Sequence, residues 1–351
     1  MTTDGTQNHP TNGYNPLDPE VEKKLDPAFV KYYNEVINLK PATHQIPLKN
    51  VRTNPEKYAG PWVTPILETE LIRSRKIPSK DGYEIPVRIY HPDPAVFGEG
   101  PHGLHLNYHG GGFVFGGLGP DAKFCADISE NVGLVVIDVN YRHCPEATFD
   151  KCFEDSWAAL NWARNNSKEI KINPNSVSIS GISAGGHICA VLQHMCRDAG
   201  IPLKLAVLAV PVATDFSTYQ KPSDSPFPSF TEFRKGAMLN WERMSFFGDC
   251  LFQTNEEVVR ASIPRYWMQP LDAPNFSGLC ETFLITAECD PVRDEGEAYG
   301  RKVHEAGAKV AFKRYLGMPH PFMHMTSQLE QARQYDRDVF EALNVVHGRD
   351  D

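Results

Sequence analysis

Short segments made almost entirely of apolar residues recur along this chain of 351 residues and constrain its fold more than any other feature. Strands buried on both faces of a parallel sheet have this composition. The segments are 134–139, 205–210 and 282–286, and a last strand is predicted at 310–315. Helical patterns separate them, as over 120–132, opened by Pro120, and in Phe153, Trp157 and Leu160 at i, i+4 and i+7. This alternation predicts an α/β fold, with a mostly parallel sheet flanked by helices.

Two stretches fall outside this alternation, and together they are expected to form a cap. Residues 211–266, rich in Pro, Phe, Ser and Trp, separate two predicted core strands, and residues 21–65 are helical in part. An insertion of this kind roofs the carboxyl ends of the strands, where open α/β sheets bind ligands. The expected division is a tail and cap segment, the first part of the core, the cap insertion and the second part of the core, at 1–65, 66–210, 211–266 and 267–351. Residues 1–20, rich in Gly, Asn, Thr and Pro, are expected to be disordered or loosely draped.

A Gly-x-Ser-x-Gly pentapeptide at 181–185 supplies a candidate nucleophile, Ser183. The apolar-alternating stretch 177–180 precedes it and is predicted to be a strand, while a helical pattern begins at Gly186. A serine on so tight a strand-to-helix turn adopts a strained backbone conformation that projects its hydroxyl outward, and the glycines avoid clashes with neighbouring chain. The motif is weak by itself, and this setting strengthens it.

A serine hydroxyl needs a base, a group that orients the base, and donors for the oxyanion that forms. Asp290 follows the strand at 282–286, and His320 follows the strand at 310–315, so the order Ser, Asp, His is that of this fold. Rival carboxylates are Glu288, Asp294 and Glu295, the last two in a predicted helix start where acids favour the helix dipole. His320 and His324 also have the spacing of a metal pair, but Pro321 disfavours a continuous helix and no nearby acid completes a zinc set.

Glycines that follow the predicted strand at 104–108 suit an oxyanion hole. The run His109-Gly-Gly-Gly allows backbone N–H groups to turn toward one point, and the N–H of Ala184 is the expected second half of the hole. For His109 a bracing hydrogen bond within this loop is a more ordinary role than chemistry.

These motifs occur in one order: HGGGF at 109–113, YR at 141–142 with PE at 145–146, GISAGG at 181–186, DPVRDE at 290–295, and His320. Together they resemble the hormone-sensitive-lipase-like family of α/β-hydrolases, the type IV carboxylesterases, over roughly residues 70–345. The resemblance implies an eight-stranded α/β-hydrolase core with a helical cap, and hydrolysis of short- to medium-chain or small apolar esters through an acyl-serine, without cofactor or metal. It assigns Ser183, Asp290 and His320 to the triad, and Gly111, Gly112 and Ala184 to the oxyanion hole.

Two positions depart from the family pattern. Ile182 stands where the elbow usually carries Asp, and Pro321 stands where Gly commonly follows the histidine. Both leave the three candidate catalytic residues in place and bear instead on substrate preference. Phe113, Ile182 and Phe216 are the candidate substrate-binding residues, although much of the aromatic content of the insertion is expected to be ordinary packing.

Composition and net charge restrict the kinds of molecule that this protein is expected to bind. A net charge of −9 argues against nucleic acid or an anionic membrane as the main partner, and no apolar run is long enough for a membrane span. The polar first 16 residues carry no apolar signal segment, and the eight cysteines are scattered, which favours a reducing, cytoplasmic setting. The expected partner is a small-molecule ester, and the strand at 310–316 is a candidate homodimer edge.

Alternatives remain open at the level of function. Transfer of the acyl group to another alcohol, or opening of a lactone, carbamate or thioester, requires the same residues as ester hydrolysis. A non-catalytic small-molecule receptor on this fold is a hypothesis of a different class, and the presence of His320 counts against it. A peptidase is weaker, because the cap is small and helical and no gating domain is evident.

Overall fold

The computed structural model describes residues 13–63, 65–253 and 255–348. The strands are β1 Ile72–Pro78, β2 Glu84–Tyr90, β3 His102–Tyr108, β4 Val135–Val139, β5 Ile172–Ile182, β6 Leu205–Ala209, β7 Glu281–Cys289 and β8 Val310–Pro319. They form one eight-stranded sheet in the order β1-β2-β4-β3-β5-β6-β7-β8. β2 pairs antiparallel with β1 and β4, and the other neighbours are parallel. The expected α/β-hydrolase architecture is confirmed.

Helices flank the sheet and build the insertion. They are α1 Pro19–Glu22, α2 Pro27–Glu35, α3 Leu48–Thr53, α4 Pro55–Tyr58, α5 Pro94–Phe97, α6 Ala122–Val132, α7 Phe149–Asn165, α8 Ala184–Asp198, α9 Pro228–Glu232, α10 Trp241–Leu251, α11 Glu256–Ser262, α12 Arg265–Met268, α13 Arg293–Glu305 and α14 Glu330–His347. Short 3-10 turns lie at Ile37–Leu39, Thr43–Gln45, Phe216–Thr218, Pro222–Asp224 and Pro270–Asp272. None of the helices in the described ranges is long and apolar enough to cross a membrane.

The central strands are buried on both faces, as their composition predicts. Every residue of β4 and of β6 is buried. Successive residues of β6 enter opposite cores: Leu205 and Val207 belong to one apolar cluster and Leu208 belongs to the other. Because side chains alternate across a strand, the sheet separates two cores, and its parallel strands present their carboxyl ends along one edge.

Tyr14 and Asn15 are held by hydrogen bonds to more distant residues, which differs from the sequence expectation for this part of 1–20. The Tyr14 N–H donates to the Asn38 carbonyl over 2.9 Å, and the Tyr33 hydroxyl donates to the Asn15 carbonyl over 2.7 Å. These long-range bonds hold residues 14–15 against the segment that follows α2, whereas the part of the expected loose tail at 1–12 lies outside the described residues.

Candidate functional site

The candidate site lies where the carboxyl ends of three parallel strands come together. Ser183 follows β5, Asp290 follows β7 and His320 follows β8. β5, β6, β7 and β8 are neighbours in the sheet in that order. Because they are parallel, their carboxyl ends lie on the same edge. The fold therefore brings together residues that are 137 positions apart in the case of Ser183 and His320.

Ser183 occupies the strained turn that the motif predicts. Its φ and ψ are 59° and −115°, and α8 begins at the next residue. Its N–H donates to the Ala209 carbonyl over 2.9 Å, which ties the turn to β6. A Cβ at Gly185 would lie 1.8 Å from the Tyr108 carbonyl oxygen, so only glycine fits there. The neighbouring chain thus fixes the turn, and an unfavourable backbone conformation is retained at the candidate nucleophile.

Two hydrogen bonds join Ser183, His320 and Asp290 into a relay. His320 Nε2 lies 2.8 Å from Ser183 Oγ, and His320 Nδ1 lies 2.8 Å from Asp290 Oδ2. Asp290 Oδ1 accepts from the Val292 N–H over 3.0 Å, which fixes the orientation of the carboxylate. Because an ionised carboxylate only accepts, Nδ1 carries the imidazole proton and Nε2 accepts from the serine hydroxyl. Asp290 is fully buried and His320 nearly so.

Two of the rival carboxylates hold loops elsewhere. Glu288 accepts from the Gly317 N–H over 2.7 Å, at the end of β8. Asp294 accepts from the Ser229 N–H over 2.8 Å and from Arg293, which connects α13 to the insertion. The arrangement leaves Asp290 as the acid that faces the imidazole.

The third rival, Glu295, is a buried structural carboxyl. It accepts from the Ala213 N–H over 2.8 Å and from the Thr214 hydroxyl over 2.6 Å, and it is fully buried. Burial raises its pKa to about 7, although these hydrogen bonds oppose the rise. The sequence places Glu295 at a helix start, where an acid favours the helix dipole. In the structure the main contacts of Glu295 are to the loop that follows β6.

His324 takes no part in the relay. Its Nε2 lies 2.7 Å from Asp121 Oδ1, and its ring stacks on Trp62 at 5.9 Å between centroids. Among the residues that the structure describes, no group of three or more His, Cys, Asp or Glu side chains is arranged to hold a metal ion.

The glycine run after β3 lies beside the serine turn. Gly111 and Gly112 have φ of 120° and 63°, and a Cβ at Gly110 would lie 3.5 Å from Ser183 Cβ. The Phe115 N–H donates to the Gly111 carbonyl over 2.9 Å and closes the run into a tight turn. In the described part of the chain, the N–H groups of Gly111, Gly112 and Ala184 donate to no acceptor. Since buried amides are normally paired, three free ones beside a serine are available to an oxyanion.

Stacked side-chain rings support the glycine run. His109 stacks on Tyr141 at 4.3 Å between centroids, and the Tyr141 hydroxyl donates to the His109 carbonyl over 2.8 Å. His109 Nδ1 lies 2.8 Å from the Gly110 carbonyl and so carries the proton, while its Nε2 lies 3.3 Å from Nε2 of His143. Burial lowers the pKa of both imidazoles, which keeps this pair neutral. No local sequence pattern indicates this contact, because His109 and His143 are 34 positions apart.

The three expected substrate-binding side chains are packed into the cores. Phe113 is 1% exposed, and its ring meets Phe149 at 4.9 Å between centroids. Ile182 is 3% exposed and belongs to the core on the other side of the sheet from Phe113. Phe216 is 6% exposed against the α10 face at Gly248. Ser183 and His320 are similarly enclosed, at 7% and 4% exposed, so the substrate-binding role of these three side chains stays a prediction.

Aromatic residues of α10 lie over the glycine run instead. A Cβ at Gly112 would lie 2.5 Å from the Phe247 ring, so the ring rests on the Gly112 backbone. Phe115 stacks on Phe246 at 5.9 Å and meets Phe247 edge-on at 6.0 Å between centroids. The sequence marks these rings only as members of a long aromatic set, and the close approach to Gly112 is what distinguishes Phe247.

Comparison with known proteins identifies the family of this fold and site. Residues 105–324 match the model of an alpha/beta hydrolase fold family. An AB hydrolase superfamily protein of Schizosaccharomyces pombe is 32% identical, over 93% of this chain and 96% of that protein. An arylesterase of Saccharolobus solfataricus is 30% identical, over 88% of this chain and 92% of its own length.

A solved structure agrees with these sequence matches. The hyperthermophilic esterase from the archaeon Pyrobaculum calidifontis superposes with a TM-score of 0.77 at 28% identity, covering 92% of this chain and 98% of that one. The likeness therefore extends over the core and over most of the segments expected to form the cap.

Proposed function

The chain belongs to the hormone-sensitive-lipase-like, type IV carboxylesterase family of α/β-hydrolases, and on that premise we propose that it is a serine carboxylesterase that works through an acyl-serine intermediate. The observation that carries the proposal is the relay in which His320 lies 2.8 Å from both the Ser183 hydroxyl and the Asp290 carboxylate. Relatives named arylesterase, ethyl acetate hydrolase and carboxylesterase support ester hydrolysis as the reaction.

The proposed reaction passes one proton through His320. Ser183 Oγ attacks the ester carbonyl carbon while its proton moves to His320 Nε2, and Asp290 stabilises the imidazolium. The carbonyl oxygen becomes an oxyanion that accepts from the N–H groups of Gly111, Gly112 and Ala184, and the alcohol leaves with the proton from Nε2. Water then attacks the acyl-serine by the same route, which releases the acid and restores Ser183.

We further propose that the described parts of 1–65 act with 211–266 as the cap. Direct contacts support this division: Thr43 Oγ1 accepts from Arg243 over 2.9 Å, and Lys24 pairs with Glu232 over 2.7 Å. Phe247 of the same insertion covers Gly112, so the cap forms one wall of the acyl or alcohol pocket. Its aromatic lining suits small apolar or short- to medium-chain acyl groups.

Hydrolysis of p-nitrophenyl esters from acetyl to dodecanoyl tests the proposal. We expect wild-type turnover, a loss of at least roughly 10⁴-fold in kcat for Ser183→Ala, and no change for the exposed Ser277→Ala as a matched control. The optimum chain length measures the depth of the acyl pocket. Full activity in Ser183→Ala refutes the mechanism, and turnover that appears only with an added alcohol acceptor assigns acyl transfer instead.

A further inference from the structure

Arg243, in the first turn of α10, is a cation without a carboxylate partner in the described residues. Its Nη1 donates to the Met238 carbonyl over 3.2 Å and its Nη2 to Thr43 Oγ1 over 2.9 Å. A guanidinium has five N–H groups, so most of its donors remain unused. Four other arginines with little exposed surface have acidic partners: Arg52 with Glu146, Arg142 with Asp155, Arg260 with Asp215 and Arg293 with Glu232. Among the described residues, the partly buried Arg88 and Arg164 resemble Arg243 in donating to neutral acceptors.

The surroundings of Arg243 make its missing partner costly. Burial lowers the pKa of Arg243 to about 10, so the group is still charged at neutral pH but is largely removed from bulk water. A desolvated cation is unfavourable unless an anion and hydrogen-bond acceptors compensate it. The residue nevertheless retains some accessible surface.

The Arg243 side chain lies close to the candidate oxyanion hole. The guanidinium carbon of Arg243 lies 5.6 Å from the centroid of the Phe247 ring. The same ring rests on the Gly112 backbone, where a Cβ would lie 2.5 Å from it. The Phe247 ring therefore contacts both the guanidinium and the backbone of the glycine run beside Ser183.

His44 is the second, independent observation that favours a ligand here. Its side chain is 4% exposed, yet neither ring nitrogen has a hydrogen-bond partner. Glu242 Oε2 is 4.0 Å from Nε2, too far for a hydrogen bond, and that carboxylate is 72% exposed. Burial, with a smaller effect from Arg243, lowers the pKa of His44 to about 4, so the neutral ring has one N–H to donate.

We propose that Arg243 and His44 bind a carboxylate carried by the substrate, so that the preferred substrates of this esterase are esters with a free carboxylate a few bonds from the scissile carbonyl. The inference rests on the proposed function and specifies its substrate class. A planar guanidinium edge matches a carboxylate with two parallel N–H donors, and the adjacent imidazole N–H supplies a third. The carboxylate lies on either the acyl or the alcohol side, and the test has one arm for each.

The experiment compares matched anionic and neutral esters on the same enzyme sample. On the acyl side the pair is p-nitrophenyl hydrogen succinate and p-nitrophenyl 4-methylpentanoate, in which isopropyl replaces carboxylate at similar size. On the alcohol side the pair is 3-acetoxybenzoate and its methyl ester. The measured quantity is the anionic-to-neutral ratio of kcat/KM, in which the unfolded fraction of any variant cancels.

For Arg243→Met we expect this ratio to fall roughly 10- to 100-fold in one arm, because a hydrogen-bonded charge pair is lost. Arg243→Lys keeps the charge without the fork, so its ratio is expected to lie between the two, and it supplies the measurement if Arg243→Met does not fold. Arg234→Met removes an exposed arginine of the same insertion and is expected to leave the ratio unchanged.

The outcomes separate the inference from the function. Ratios within threefold of wild type for both Arg243 variants in both arms overturn the inference, and turnover of the neutral esters then leaves the proposed function standing. An equal fall in Arg234→Met also overturns it, because the effect is then one of net charge. Absence of wild-type turnover with all four esters counts against the proposed function itself.

Discussion

Glu295 gives a stability prediction whose size follows from its burial. Folding raises the pKa of this carboxyl from its ordinary 4.5 to about 7. Well below pH 4.5 the carboxyl is protonated in both the folded and the unfolded state. Between pH 4.5 and pH 7 the unfolded state has released the proton while the folded state retains it. The free energy of unfolding therefore falls as pH rises through this range. Each pH unit of difference amounts to about 1.4 kcal/mol, so Glu295 lowers the free energy of unfolding by about 2 to 3 kcal/mol between pH 5 and pH 8.

Glu295→Gln removes this dependence while retaining the contacts. The amide oxygen still accepts from the Ala213 N–H, and the NH₂ group faces the Thr214 hydroxyl, which accepts as well as donates. We therefore expect the stability of Glu295→Gln relative to wild type to increase by about 2 to 3 kcal/mol from pH 5 to pH 8. The two proteins share their other titrating groups, so the difference isolates this residue.

Urea unfolding at pH 5, 6, 7 and 8, followed by fluorescence and circular dichroism, measures that difference. Glu305→Gln, at the exposed end of the same helix, controls for the loss of a charge. Unfolding curves for Glu295→Gln and wild type that stay a constant distance apart across this range would refute the reasoning, because Glu295 would then be ionised throughout.

Three further predictions follow from the site and the sheet edge. Asp290→Asn keeps the bond from the Val292 N–H and turns its NH₂ toward His320, which selects the wrong tautomer; kcat is expected to fall roughly 10³- to 10⁴-fold, and a fall under tenfold contradicts the role of Asp290. Gly111→Ala places a Cβ 2.2 Å from the Phe115 carbonyl oxygen and is expected to reduce kcat roughly 10²-fold, whereas Gly278→Ala, at φ 73° with a Cβ no closer than 3.6 Å to Arg197, serves as the control for backbone strain. β8 is an unpaired edge with Phe312 half exposed, so light scattering at micromolar concentration is expected to show a dimer that Phe312→Lys dissociates; a wild-type monomer contradicts this.

The core strands were predictable because full burial leaves a plain mark on composition. β4 and β6 lie within one residue of the segments 134–139 and 205–210. Element ends were less predictable: α6 begins at Ala122 rather than Pro120, and β5 begins at Ile172 rather than 177. The four residues of β5 after Ile172 include the exposed Asn173 and Asn175, and such a stretch has no apolar pattern that marks a strand.

At the candidate site, the order of motifs along the chain was enough to select the residues that the structure brings together. What the sequence did not indicate depends on partners that are far away or absent. The sequence did not indicate that the Phe113 ring packs among core aromatics, at a residue with a positive φ of 63°. Arg243 has no distinguishing sequence pattern, since its distinguishing property is that it bonds to neutral acceptors and to no carboxylate among the described residues.

The distribution of the relay over β5, β7 and β8 has a consequence for biosynthesis. A growing polypeptide carries Ser183 and its glycine run long before His320, which is 137 positions later than the serine. In the proposed mechanism the base follows β8, which among the described strands pairs only with β7 at the sheet edge. Ester turnover by a nascent or truncated chain therefore reports the docking of that final strand, whereas formation of the central sheet by itself remains catalytically silent.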